Sequence, residues 1–550
     1  MRARALAVVA VALALVGCKH RRHPIAVGKD AGPLVEVVDP ATQKLPKQPL
    51  IDEREPDDDV AHAQPLTLGS GIRGTLAAPH VVKNKPASDE DVYSWLQPGA
   101  PGDAGAAAFD YARVELSGVP GLDLALEVLD GDGHRLWLAN DGGVGEGEIA
   151  PNVAVDPAHT YYLRVREVGT PKGDANHSYE LYLATWHAGP GDEREPNDDA
   201  AHVTSITLTG TSTDATGFWG KKRDDDWLRI NLAGLPADKA NATLRLELTP
   251  VEGVAPQLRI LGPGSDKQAV GEARASRGEE LRLRNVGADA ATGLVVALRA
   301  LEGRSTEIRW VLRIGVEPND PIGAGGVERE PNNDVAHATQ LQLGGGTAQV
   351  SGYLWPGDSD VFHVQGIAPE SLLSAEVEGV DKVDLKLERI GSDGKMLVRA
   401  DDAGVGQGEM LPPSRAGDGY VRVLARARDT AFDAPYRLTV TASEAAPDEE
   451  REPNDTPAAA TIWAGASATM RGRLAPRGDE DWYAIEGTGT PAAARVDGTV
   501  PATARIVDEA RHSVPPGTPL LAGKRYFVVV KAASEKASNP REQYTVTLNR

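Results

Sequence analysis

Glu328-Arg329-Glu330-Pro331-Asn332-Asn333 decides how this chain is read, because the same motif stands at three other places. Glu53-Arg54-Glu55-Pro56-Asp57-Asp58 and Glu193-Arg194-Glu195-Pro196-Asn197-Asp198 precede it, and Glu450-Arg451-Glu452-Pro453-Asn454-Asp455 follows it. A motif that recurs at domain-sized intervals, rather than every 20–50 residues or so, marks an array of folded modules and not a solenoid. Downstream of each copy comes a second acidic motif before an aromatic or aliphatic pair. Its four forms are Asp89-Glu90-Asp91-Val92-Tyr93, Asp224-Asp225-Asp226-Trp227, Asp358-Ser359-Asp360-Val361-Phe362 and Asp479-Glu480-Asp481-Trp482-Tyr483.

Strand patterns fill the space between. Leu122, Leu124, Leu126 and Val128 alternate with Asp123 and Glu127, and Val383, Leu385 and Leu387 alternate with Asp384, Lys386 and Glu388. Period-2 alternation predicts strands buried on one face. Asp130-Gly131-Asp132-Gly133 and Ser392-Asp393-Gly394 carry hairpin-turn chemistry, and each unit closes on a strand pair, as at 161–165 with 179–183 and at 526–530 with 544–548. No long amphipathic helix is written after the first residues. The predicted fold class is all-β, with four tandem antiparallel β-sandwich domains. The first and third units also share a Gly-rich acidic stretch, 140–148 and 401–409, that the other two lack.

Arg2 and Arg4 precede an apolar run, 5–16, that ends in Leu15-Val16-Gly17-Cys18. That is an export signal, too short for a span of about 20 residues. It resembles a bacterial lipoprotein signal, which implies acylation of Cys18. Cys18 is the only cysteine in 550 residues, so no internal disulfide can form. Lys19 after the cysteine points, by the same resemblance, to the outer membrane, facing the periplasm or the surface. The expected order is signal peptide 1–17, lipidated N-terminus and tether 18–50, units 51–188 and 189–316, linker 317–327, then units 328–444 and 445–550. A net charge of −22 excludes a nucleic-acid partner, and 41% hydrophobic residues suffice for folded domains.

The order Glu-Pro-Asn-Asp, Gly-x-Leu, Asp-x-Asp-aromatic and Tyr-rich closing strands resembles the bacterial pre-peptidase C-terminal domain. That family is a jelly-roll-like β-sandwich appended to secreted proteases and collagenases. The likeness covers most of residues 51–550 and is weakest late in the second unit. No peptidase segment accompanies it.

Both acidic motifs together supply several carboxylate and amide oxygens, and calcium takes six to eight oxygens in irregular loops. The resemblance implies structural calcium, as in collagen-binding members of the family. Carried over, the ligands are Glu53, Glu55, Asp57, Asp58 and Asp91 in the first unit, and Glu193, Glu195, Asn197, Asp198, Asp224 and Asp226 in the second. In the third they are Glu328, Glu330, Asn332, Asp358 and Asp360, and in the fourth Glu450, Glu452, Asn454, Asp455, Asp479 and Asp481. Asn333 replaces a carboxylate, which ranks the third site below the others. The competing reading is that the motif caps a turn at a domain entrance.

Gly143-Val144-Gly145-Glu146-Gly147 is flanked by acid and followed by no helix, so it reads as a hairpin loop, not a phosphate cradle. His62, His202 and His337 share a place that reads as packing, and Trp95, Trp137, Trp219 and Trp355 are candidates for a binding platform. With no His-Glu-x-x-His or Gly-x-Ser-x-Gly, the expectation is a non-enzymatic, lipid-anchored envelope protein that binds an envelope or extracellular protein or glycan. The alternatives are a structural spacer or assembly subunit, and an accessory factor of a secreted protease.

Overall fold

The computed structural model describes residues 44–550, apart from 83–84, 100–109, 234, 236–242, 263–268, 290–291, 319, 324, 369, 427–428 and 465–467. The signal segment, Cys18 and the tether to residue 43 lie outside the described residues. Among the described residues every regular element is a strand, and no helix is long and apolar enough to cross a membrane.

Each repeat folds into two facing sheets around one apolar interior. In the first, Leu50–Asp52, Gly71–Gly74, Tyr179–His187, Asp110–Leu116 and Glu148–Val155 neighbour one another in that order. Opposite them run Gln64–Pro65, Glu90–Leu96, Thr160–Glu167, Leu124–Leu129 and Arg135–Ala139. Alternation along Thr160–Glu167 sends Tyr161, Leu163 and Val165 into the core, where Ile72, Val114 and Leu181 of the facing sheet meet them. A fully buried Leu or Val stabilises the fold by about 1.5–3 kcal/mol relative to exposure. The third repeat has the same five-plus-five order, the second has five plus four, and the fourth has four plus three.

The expectation of four tandem antiparallel jelly-roll-like sandwich domains does not hold. Residues 41–550 form one compact unit. Each later Glu-Pro segment pairs by backbone with a strand of the repeat before it: Val153 with Glu195, Val286 with Glu330, Ser414 with Glu452. Hydrogen bonds between repeats join sequence neighbours only, among the described residues. The molecule is a continuous β-stack with the one-dimensional logic of a solenoid, in which each repeat leans on its neighbours. Nor is the pairing all antiparallel: Leu50–Asp52, Gln64–Pro65, Thr204–Thr207, Gly326–Val327, Thr339–Gln342 and Thr461–Ile462 each add to their sheet in parallel.

The one-faced strands also need correction. Leu124–Leu129 is buried along its whole length. Glu127 on its outer face is gripped by Arg164 and Arg166, and Glu388, fully buried, by Arg399 and Arg422. Alternation correctly marked a polar face, but arginines from adjoining strands cover it.

Candidate metal centre

The first glutamate of each motif continues a short parallel strand. Its N–H donates to a carbonyl across the sheet, as Glu193 does to Thr216 at 2.9 Å and Glu328 to Ser351 at 3.0 Å. Its carboxylate then turns back over the Gly-x-Leu strand and accepts a backbone N–H there: Thr75 on Glu53 at 2.8 Å, Phe218 on Glu193 at 2.7 Å, Tyr353 on Glu328 at 2.5 Å, Arg473 on Glu450 at 2.7 Å. Gly74, Gly217, Gly352 and Gly472 make room for it, since a Cβ at any of them would collide with that glutamate. The glycine of Gly-x-Leu therefore belongs to the acidic site.

The second glutamate spends one oxygen on its own turn. Glu195, Glu330 and Glu452 accept through Oε2 from the N–H of Asn197, Asn332 and Asn454 at 3.0, 2.9 and 2.9 Å. Their Oε1 atoms are buried and have no hydrogen-bond partner. Each asparagine donates its Nδ2 to a threonine seven residues on, Thr204, Thr339 or Thr461; Oδ1 of Asn197 and Asn332 is unpartnered.

The Asp-x-Asp motif enters from the facing sheet. Its second aspartate accepts a tyrosine hydroxyl on one oxygen, Tyr179 on Asp91, Tyr436 on Asp360 at 2.5 Å and Tyr544 on Asp481 at 2.6 Å. Oδ1 of each is unpartnered. In the second repeat Trp310 takes the tyrosine's register position opposite Gly217, and both oxygens of Asp226 are unpartnered. The first aspartate ties the loop, accepting a backbone N–H from Gly220 on Asp224 at 2.7 Å, Trp355 on Asp358 at 3.2 Å and Ala475 on Asp479 at 2.8 Å.

Three carboxylates thus converge in every repeat. One oxygen from each of Glu193, Glu195 and Asp226 lies within 4.8 Å of the others, as in Glu328, Glu330 and Asp360, in Glu450, Glu452 and Asp481, and in Glu55, Asp89 and Asp91. Burial pushes these groups up, and mutual repulsion adds to it. Asp57 and Glu328 rise to about 7, Glu193 to about 8 and Asp91 to about 9. Glu195, Asp226, Glu330, Asp360, Glu450 and Asp481 rise well above the ordinary range. Buried anions with unfilled lone pairs suit a hard divalent cation, whose oxygen shell the amide oxygens and water can complete.

Several sequence expectations shift. Asp58, Asp198 and Asp455 are exposed and outside the clusters, and Asp198 pairs with Lys221 at 2.6 Å. Asn333, at the same position of the third repeat, is instead half-buried, with its Oδ1 buried and unpartnered. In the first repeat Glu53 is half-buried, Glu55 exposed and Asp57 buried with both oxygens unpartnered. Asp89, Thr204, Thr339, Thr461 and the three tyrosines were not foreseen, although each threonine stands seven residues after the asparagine of its motif.

Capping exists, but other residues do it: Asp59, Asp199 and Asp334 accept the N–H groups of their turns and hold His62, His202 and His337 at 2.8 Å. Those histidines are exposed and paired, not packed. Trp95, Trp137, Trp219 and Trp355 are buried and form no platform.

No family model and no curated protein matches the chain. Among solved structures, it is similar to the pre-peptidase C-terminal domain of collagenase from Bacillus anthracis, at 17% identity over 24% of this chain and 100% of that one, with a TM-score of 0.16. The human MASP-1/3 CUB1-EGF-CUB2 domain gives 10% identity over 44% and 99%, TM-score 0.13. The PBSX exported protein XepA gives 12% over 44% and 93%, TM-score 0.13.

Proposed function

We propose that this chain is a non-catalytic envelope lipoprotein, anchored through Cys18, whose four-repeat β-stack is stiffened by calcium and presents its surfaces to an envelope or extracellular protein or glycan. One observation carries the calcium part: buried, unpartnered carboxylate oxygens recur at equivalent places in all four repeats. A cation bound to the native state raises its stability by mass action. Thermal unfolding in calcium and in excess chelator tests this, and equal midpoints would refute it.

A second reading, a spacer or assembly subunit without a soluble ligand, draws on the burial of the four tryptophans, which removes the aromatic surface a glycan would stack on. Pulldowns from envelope and matrix fractions separate the two, since a spacer retains only a fixed complex partner.

A further inference from the structure

The later three clusters differ from the first in what stands behind them. Glu195 O accepts the N–H of Ala154 at 3.0 Å, and Asn152 of the preceding repeat donates its Nδ2 to Glu193 Oε1 at 2.6 Å. Asn152 is buried, and its Oδ1 is unpartnered beside the cluster. Glu330 exchanges backbone bonds with the strand of the second repeat, from Gly287 N to Glu330 O at 2.7 Å and from Glu330 N to Asn285 O at 2.9 Å. Glu452 O accepts the N–H of Arg415 at 2.8 Å. The glutamate that faces the cation site is thus the residue that docks on the repeat before it. Glu55 is exposed and pairs with no earlier repeat among the described residues, while Glu195, Glu330 and Glu452 are buried.

The joints are also unequal among themselves. The Gly-rich stretches of the first and third repeats reach across to the next repeat, just ahead of its Asp-x-Asp. Asp141 accepts Lys222 N at 2.9 Å, and Asp402 accepts Arg477 N at 3.1 Å while its carbonyl takes the Arg477 guanidinium at 2.6 Å. The second repeat lacks this stretch. Its joint with the third instead seats Trp355 of the third repeat in the second repeat's apolar core, with Phe432 against it, and adds Arg284 on Phe432 O and over the Tyr353 ring, and Arg329 on Ala288 O.

Building on the calcium reading, we infer that the cations of the second, third and fourth repeats are joint locks, whose occupancy and inter-repeat docking reinforce each other. A cation there gathers the two glutamates and the aspartate, and so fixes the backbone that pairs with the preceding strand. The first cluster, whose Glu55 is exposed and docks on no earlier strand among the described residues, holds its cation more weakly.

The test uses the full chain carrying Cys18→Ser, with calcium as the probe. Calorimetric titration should show three tight sites and one at least about tenfold weaker. Asn152→Ala should weaken one tight site by about tenfold or more, the cost typical of removing an outer-shell partner, while Asp497→Ala, at an exposed residue paired with Arg495, leaves all four unchanged. Dye pairs at His134→Cys with Ser276→Cys, Ser276→Cys with Ser392→Cys, and Ser392→Cys with Ser534→Cys report the three joints. Chelator should broaden the transfer distributions, with the variants still folded by circular dichroism. Absence of calcium binding overturns the calcium reading and this inference with it. Four equivalent sites, or distances indifferent to chelator, overturn the joint locks alone.

Discussion

Glu330→Gln puts the third cluster to a test of sign. The variant is isosteric: its amide oxygen can still accept the N–H of Asn332, which Glu330 Oε2 holds at 2.9 Å, and its NH2 then faces the cluster. Oxygens of Glu328, Glu330 and Asp360 lie within 4.8 Å of one another. Two unit charges at that distance repel by roughly 3.5 kcal/mol at an effective dielectric constant near 20. Proton uptake relieves part of this near neutral pH, because Glu328 titrates at about 7 and its two neighbours well above the ordinary range. Removing one charge should therefore stabilise the chelated protein by about 1–2 kcal/mol. In calcium the variant lacks an anionic ligand and should bind at least about tenfold more weakly, which is about 1.4 kcal/mol. Urea unfolding with and without calcium measures both changes. The midpoint of Glu330→Gln should lie above wild type in chelator, and its calcium-induced rise should be smaller. A loss of equal size in both conditions would refute the argument, since it would show a static hydrogen-bonded cluster whose geometry, not charge, matters.

Gly352→Ala should cost about 1–3 kcal/mol, because its Cβ would collide with Glu328 and Tyr436; Gly344→Ala, with open space around it, should change the urea midpoint little. In chelator, stability should fall as pH rises. The native carboxylates are raised from ordinary values of 3.8–4.5 to about 7 for Asp57 and Glu452 and about 8 for Glu193. The native state therefore holds more protons than the unfolded chain across that window and loses this advantage as pH climbs through it. Calcium binding should run the other way, tightening with pH and releasing protons, which unfolding midpoints near pH 5 and 8 and calorimetry in two buffers would check. Lys221→Met should raise calcium affinity at the second cluster, since the ammonium 3.4 Å from Asp224 Oδ1 opposes a cation there. A calcium titration that showed weaker binding would contradict it.

The repeats, the strands and the acidic motifs were legible because each leaves a local mark: a repeated string, a period of two, a pair of carboxylates two apart. What escaped needs two distant segments at once. Tyr436 reaches Asp360 from 76 residues away, and nothing near either residue announces the other. Asp89 had its signal in plain view, in the same Asp-x-Asp string as Asp91, and only the reading passed it over. The continuity of the stack was hidden for the same reason as the tyrosines. The bond from Ala154 to Glu195 O is a backbone bond, and backbone bonds carry no residue signature. An aspartate at 141 or 402 looks like part of an ordinary hairpin loop until Lys222 or Arg477 of the next repeat is placed beside it.

Asp58, Asp198 and Asp455 show the converse error, in which a visible charge lies outside the cluster. Position along a motif was taken as a measure of ligation, yet the turn that follows each proline directs Asp58, Asp198 and Asp455 to solvent while the residue before each is buried. At the equivalent position of the third repeat Asn333 is half-buried and its Oδ1 is buried and unpartnered. The residues that cannot vary are those whose oxygens are buried without partners. In such a site, burial with an unfilled lone pair is a stronger sign of ligation than a negative charge, because an exposed carboxylate is already satisfied by water.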